Sequence, residues 1–221
     1  MTFADLQSGA AIFVDANILI YHFTNHAKYG AACTSLVERI ELKEIQGFTS
    51  SHCLADVAHC VMTIEAAGQL SWPVSGLAAR LKKHRAEIPK LGLYQQAAAR
   101  VAQLGIQVLP LSVALVLDAT HVSQQFELLT GDALIVATMR QQGLTTLASE
   151  DLDFDRALCL TRYASILTAR FGPEQAQPSP GRKSRPAARA CQEMNRRLIL
   201  SPRPRGTPRG SPSPRVHRFP R

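Results

Sequence analysis

Four aspartates stand where this sequence could support metal-dependent chemistry. Asp15 ends the apolar run 11–14 and Asp151 follows the segment 144–149, while Asp56 and Asp132 lie in helix-like patterns. A carboxylate at the end of a buried run is costly unless the fold needs it, and open α/β sheets bind ligands at the carboxyl ends of their strands. Four acids at one such edge would repel each other unless a cation neutralised them. Because hard cations such as Mg²⁺ prefer oxygen ligands, the pattern predicts a metal-dependent phosphodiesterase.

The segments around these acids alternate between strand-like and helix-like patterns, which predicts an α/β fold with parallel β-α-β units. Strands are predicted at 11–14, 47–50, 106–111, 145–149 and 157–161. Helices are predicted at 17–23, 31–45, 73–87, 94–104, 112–127 and 132–142, and over the segment that carries Leu54, Val57, Val61 and Ile64. Ser50 or Ser51 is the expected N-cap of that last helix.

Three segments that contain the acids resemble the ordered motifs of PIN-domain ribonucleases, and most nearly those of VapC-type toxins from bacterial toxin–antitoxin pairs. They are FVDANILIYHF, TSSHCLADVAHCV and LLTGDALIVATMRQQGLTTLASEDLDFDR, and the resemblance covers about residues 12–161. It implies a three-layer α/β/α sandwich around a mostly parallel sheet of about five strands. It also implies an endoribonuclease that uses Mg²⁺, with Mn²⁺ as a substitute, and a homodimer held inactive by a cognate antitoxin.

The resemblance also assigns roles to individual residues. Asp15, Asp132 and Asp151 match the first, third and fourth acids of the family, and Asn17 matches the polar residue two positions after the first. The second acid is usually Glu, whereas this chain has Asp56, which is one methylene shorter. All four acids are therefore expected to be catalytic and to hold the metal.

Ser149 and Asn17 are expected to orient a carboxylate or a metal-bound water, although helix capping explains each of them equally well. The acids have simpler interpretations too. Asp15 and Asp132 suit helix N-termini, and Asp56 suits a solvated helix face. Asp151 competes with its neighbour Asp153, which is an alternative outer ligand.

The positive charge of the chain is concentrated in its last quarter. The net charge is +8, but residues 1–170 contain thirteen Lys/Arg against fifteen acids, and residues 171–221 contain twelve against two. Ten of the thirteen prolines also lie after residue 172. This composition predicts a nuclease domain over residues 1–170 and a disordered basic tail over 171–221. The tail is expected either to bind nucleic acid or an acidic partner, or to have no function.

Other classes of function fit less well. Phosphatases of the haloacid-dehalogenase type also place an Asp after the first strand, but their second Asp is replaced by Asn17. The pairs His52-Cys53 and His59-Cys60 are about 10.5 Å apart along a helix, too far to share one zinc ion. A weakened PIN-type binding module that contacts RNA or an antitoxin without efficient cleavage stays open. Five cysteines without a CxxC pair favour a reducing cytoplasm, and no membrane association is expected.

Overall fold

A parallel β-sheet lies at the centre of this protein. The computed structural model describes residues 1–73 and 75–165. The predicted basic tail and the end of the predicted domain lie outside these residues. Five strands form the sheet: β1 (Ala11–Val14), β2 (Gln46–Ser50), β3 (Gln107–Leu109), β4 (Thr146–Ala148) and β5 (Thr161–Tyr163). Their order is β3-β2-β1-β4-β5, and every neighbouring pair is parallel.

The apolar run 11–14 becomes the central strand because both of its faces are covered. Ile12, Phe13 and Val14 are completely buried, as expected for a parallel strand with helices on both sides. Phe13 pairs with Phe48 of β2 and Leu147 of β4. The chain therefore winds outward from β1 to one side and from β4 to the other, which places the topological switch point between these two strands.

Seven α-helices flank the sheet in the described part of the chain. They are α1 (Ala16–Phe23), α2 (Gly30–Glu41), α3 (Ser51–Gln69), α4 (Leu77–Lys83), α5 (Leu93–Gln103), α6 (Val113–Phe126) and α7 (Thr130–Gln141). The Ser50 hydroxyl accepts from the Cys53 amide and so caps α3 as predicted. The α/β class, the five strands and the flanking helices are all confirmed. Within the described residues, no helix is both long and apolar enough to cross a membrane.

The hydrophobic interior has two parts. A large core spans the sheet and most helices, and a small separate cluster joins the end of α3 to α4 through Ala66, Leu77, Leu81 and Leu91. Met62 and Trp72 pack against this small cluster. The cluster anchors α4 to α3 independently of the sheet.

Several predicted boundaries are wrong. The helix predicted at 73–87 is shorter, because Gly76 takes a left-handed conformation before α4 and the chain then forms a 3₁₀ helix over Arg85–Lys90. The helix predicted at 31–45 ends at Glu41, since Lys43 has a φ of 60°. The fifth strand lies at 161–163 and not at 157–161, because pairing with the neighbouring strand starts only at Thr161.

Candidate metal centre

Asp15 lies at the topological switch point, directly after β1 and at the start of α1. Its backbone amide donates to the Ala148 carbonyl of β4, at 3.0 Å, so the fold joins the ends of the two strands at this residue. Asp15 is only 7% exposed. It occupies the N-cap position of α1, but its side chain does not cap the helix. The capping interpretation of Asp15 therefore does not explain why this carboxylate is buried.

The Asp15 carboxylate is instead held by the two residues that were expected to orient it. The Ser149 hydroxyl donates to Asp15 Oδ2 at 2.7 Å, and Asn17 Nδ2 donates to the same oxygen. Asn17 Nδ2 also donates to Ser149 Oγ at 3.1 Å, and the Asp151 amide donates to that oxygen at 3.0 Å. Because a hydroxyl has one donor and two acceptor positions, Ser149 is fully satisfied and fixes the position of Asp15.

The segment after β4 carries four acids, and the structure separates the roles of Asp151 and Asp155. Asp151 is the N-cap of the 3₁₀ helix Leu152–Arg156, and its Oδ1 accepts from the Asp153 amide at 2.9 Å. Asp155 receives two hydrogen bonds from the Arg162 guanidinium, at 2.8 and 3.0 Å. Arg162 also donates to the Ser149 carbonyl at 3.1 Å. Asp155 is therefore part of the support that holds this segment against β5.

Asp132 lies in the first turn of α7, which begins two residues earlier than predicted and has Leu129 as its N-cap. Asp132 is thus the third residue of the helix and not its first. Helix N-termini favour a negative charge. Burial raises the pKa of Asp132, and the charges of Asp15, Asp151, Asp153 and Asp56 raise it further. Asp132 is therefore within the electrostatic reach of the other acids.

Asp56 projects from α3 and is paired with a histidine one turn earlier. His52 Nε2 lies 3.4 Å from Asp56 Oδ2, and the Asp56 side chain is 48% exposed. A Cβ atom added at Gly131 would stand 3.3 Å from His52 Nε2. The imidazole therefore fills the narrow space between α3 and the start of α7. Sequence reasoning treated His52 only as a possible zinc ligand and overlooked Gly131.

The acids change each other's protonation. Burial raises the pKa of Asp15 to about 7, opposed by the Ser149 hydrogen bond and reinforced by the charges of Asp151 and Asp56. Burial likewise raises the pKa of Asp132 to about 7, with the charge of Asp15 next in importance. The pKa of Asp56 is raised by burial, against the effect of His52 and His59. Acids that disfavour each other's ionisation in this way are stabilised by a bound cation.

The four predicted ligands influence one another electrostatically: the charges of Asp151 and Asp56 act on Asp15, and those of Asp15, Asp151 and Asp56 act on Asp132. We name the set Asp15, Asp56, Asp132 and Asp151 the acidic edge. Its oxygen donors and mutual repulsion suit a hard divalent cation. Among the residues that the structure describes, however, no three His, Cys, Asp or Glu side chains are grouped closely enough to hold an ion. The fit is therefore in donor chemistry and charge, and the coordinating geometry would need side-chain rearrangement.

Cys53 and Cys60, which lie on α3 with Asp56, are buried cysteines. Burial, with a smaller contribution from the charge of Asp15, raises the pKa of the Cys53 thiol to about 12. Cys60 is also buried. A zinc ligand must be a thiolate, and this environment disfavours the thiolate of Cys53. Cys53 is instead part of the large hydrophobic core.

Comparison with protein-family models identifies a PIN domain over residues 12–157. This chain belongs to the PIN domain family. The matched region begins inside β1 and ends after Asp151, so it contains the whole acidic edge. No curated protein matches the sequence. Membership confirms the PIN part of the predicted resemblance.

Among solved structures, this PIN domain is similar to a chain of VapBC2 from Rickettsia felis, which was crystallised with a fragment of promoter DNA. The identity is 14%, the TM-score is 0.44, and the match covers 70% of this chain and 98% of that one. It is also similar to VapC20 from Mycobacterium tuberculosis, described as a toxin that cleaves the sarcin–ricin loop. There the identity is 19%, the TM-score is 0.45, and the coverage is 66% and 94%.

Proposed function

We propose that this PIN domain is a Mg²⁺-dependent endoribonuclease, the toxin of a toxin–antitoxin pair, whose four metal-binding and catalytic residues are those of the acidic edge. One observation carries the proposal. Asp15 is buried at the switch point and held by Ser149 and Asn17, while the other three acids reach it electrostatically. A fold that buries a carboxylate without a counter-charge keeps it for a ligand more plausibly than for stability.

The four acids would bind the ion, and Ser149 and Asn17 would orient one of them. Asp15, Asp132, Asp151 and Asp56 would hold the ion through carboxylate oxygens, and Mn²⁺ would substitute for Mg²⁺. When bound, the ion would activate a water and screen the charge of the scissile phosphate. Ser149 and Asn17 keep the Asp15 carboxylate in one orientation through their hydrogen bonds to Oδ2. Asn17 carries an amide and cannot serve as the general acid that a phosphatase of the haloacid-dehalogenase type needs.

One feature supports a second candidate, a PIN-fold binding module with weak or no cleavage. Asp56 is shorter than the usual Glu, is about half exposed and is paired with His52. Mg²⁺ requires nearly ideal octahedral geometry at about 2.0–2.1 Å. If Asp56 cannot reach the ion, the chain would still bind RNA or an antitoxin without efficient turnover.

Two protein partners belong to the same proposal. The resemblance of the motifs to VapC-type toxins supports a cognate antitoxin and a homodimer in the cytoplasm. The chain offers apolar surface for such contacts, since Val113, Val116 and Leu117 on α6 are 79%, 40% and 60% exposed. Light scattering of the purified chain, alone and with the product of a neighbouring small gene, would test both.

The decisive experiment is a cleavage assay on RNA with the full chain. We expect Mg²⁺ or Mn²⁺ to support cleavage and EDTA to abolish it. The variant Asp15→Asn should be inactive while it keeps the fold. RNA binding without cleavage in either metal would establish the binding module instead. Turnover of a small phosphomonoester with RNA left intact would favour the phosphatase alternative.

A further inference from the structure

A second charged region lies on α4 and the 3₁₀ helix that follows it. Residues 80–90 contain five Lys/Arg and one acid, whereas the rest of residues 1–165 contains seven Lys/Arg and fourteen acids. The single acid, Glu87, is paired with Lys90 at 2.9 Å. Four cations are left, namely Arg80, Lys82, Lys83 and Arg85, and none of them forms an ion pair within the described residues. We name these four residues the α4 surface.

The α4 surface is held in place by the protein interior. Leu77 and Leu81 are buried against Ala66 on the last turns of α3, and the Glu65 carboxylate accepts from the Gly92 and Leu93 amides at 2.9 and 3.0 Å. These contacts fix the segment from Leu77 to Leu93 at both of its ends. Lys82 and Lys83 are exposed on the opposite side of α4. The cations are therefore presented on a rigid support.

Aromatic rings lie beside these cations. The Trp72 ring is 5.3 Å from the ring of His84, which directly follows Lys83. Trp72 packs against the small cluster and is only partly buried. Positive charge next to aromatic rings is the combination that binds single-stranded nucleic acid, with phosphates on the cations and bases on the rings. An acidic peptide would need only the charges, so the rings favour RNA.

The distance to the acidic edge fits one RNA strand. Asp56 and Ala66 are ten residues apart on α3, which is about 15 Å at 1.5 Å per residue, and Gln69 is about 20 Å away. One nucleic acid strand in a duplex carries a phosphate about every 3.4 Å. A strand of this spacing bound at the acidic edge would therefore reach the end of α3 that carries α4 within about six phosphates.

We propose that the α4 surface binds the backbone of single-stranded RNA whose scissile phosphate lies at the acidic edge. This inference rests on the proposed ribonuclease function. The surface contributes to affinity and to the length of substrate required, and it takes no part in bond cleavage.

The test compares two variants of the full chain that lose the same charge. Lys82→Gln/Lys83→Gln removes two cations from the α4 surface, and Lys43→Gln/Arg140→Gln removes two exposed cations that precede β2 and β4 at the other edge of the sheet. Binding to a fluorescent twelve-nucleotide RNA is measured in EDTA across a range of salt. Because binding is measured without cleavage, the result stands even if the proposed nuclease activity fails.

For the α4 variant, the slope of log K against log salt should become shallower by about 1.4, since each phosphate contact on a single strand contributes about 0.7. The Lys43/Arg140 variant should keep the parent slope, and Lys82→Arg/Lys83→Arg should restore it. A four-nucleotide RNA should bind parent and α4 variant alike. Equal loss in both charge-matched variants, or no loss in the α4 variant, would overturn the proposal. If cleavage occurs, the α4 variant should raise KM and leave kcat unchanged.

Discussion

The carboxylates of the acidic edge come from four segments far apart in the chain, whereas the cations of the α4 surface come from six consecutive positions. Asp15 is buried and fixed by its neighbour Asn17 and by Ser149, 134 residues away, whereas Lys82 and Lys83 are exposed and form no ion pair within the described residues. At the first region the fold determines where each charge stands. At the α4 surface, the local sequence alone determines the positions of the charges. Substitutions at the acidic edge should therefore depend on exact side-chain shape, and those at the α4 surface on charge alone.

The largest effect should come from Asp15→Asn. We expect RNA cleavage to fall by at least about 100-fold, which is about 2.7 kcal/mol in transition-state terms. Thermal stability in metal-free buffer should be unchanged or higher, because the substitution relieves carboxylate repulsion. Asp118→Asn, at an exposed position of α6, is the matched control and should resemble the parent in both assays. An active but less stable Asp15→Asn variant would mean that Asp15 is structural.

The next effect tests the shorter second acid. Asp56→Ala should lower Mg²⁺-supported cleavage by at least about tenfold, or about 1.4 kcal/mol. Asp56→Glu should retain or raise it, because the longer side chain reaches further toward Asp15. A given site generally binds Mn²⁺ more strongly than Mg²⁺. Replacing Mg²⁺ with Mn²⁺ should therefore raise cleavage by the parent more than cleavage by Asp56→Glu. If Asp56→Ala cleaves as well as the parent does, the site has three acids and Asp56 is an ordinary surface residue.

The buried acids should also make stability depend on pH. The folded pKa of Asp15 is about 7, above its ordinary value of 3.8, so between these values the folded state binds a proton that the unfolded state has lost. Stability should therefore fall as pH rises from about 4 to 7, by at most about 1.4 kcal/mol per pH unit for this group, and level off above that. Denaturant titrations in EDTA at several pH values should show a smaller fall for Asp15→Asn than for Asp118→Asn. A flat profile for the parent would contradict the buried, uncompensated carboxylate.

Sequence patterns predicted the sheet, which the structure confirms, and they proposed the four acids, because both depend on strong local signals. Apolar runs mark parallel strands, and Asp15 and Asp151 directly follow two of them. The contacts that hold the acids in place were harder to predict from the sequence. Ser149 was expected to orient a carboxylate or a metal-bound water, but local sequence does not show that its partner is Asp15, 134 residues earlier, since that contact exists only when β1 and β4 are neighbours. The contact between His52 and Gly131 likewise exists only once α3 and α7 approach each other in the folded chain.

The α4 surface was overlooked for a different reason, although its sequence is entirely local. Averaging charge over residues 1–170 gave a mildly acidic domain and assigned the positive surplus to the tail. The predicted single helix over 73–87 also hid the break at Gly76 and the 3₁₀ turn after it. Only the structure shows that Leu77 and Leu81 face inward, which leaves Lys82 and Lys83 on the outside.

The smallest effect should come from Gly131→Ala, which tests how closely α3 and α7 approach at the acidic edge. The added methyl would press on His52 Nε2, now 3.3 Å from that position, and displace the imidazole from Asp56. Alanine is also favoured over glycine in a helix by up to about 1 kcal/mol, so the two effects should nearly cancel in thermal stability.

Cleavage with Mg²⁺ should nevertheless fall by roughly threefold, about 0.6 kcal/mol. Gly68→Ala on α3, where an added Cβ meets nothing within 4 Å, is the matched control and should be more stable with unchanged activity. Equal activity in both variants would mean that the contact between His52 and Gly131 has no bearing on the site. A loss confined to Gly131→Ala would show that the acidic edge depends on side-chain shape even at a residue that carries no charge.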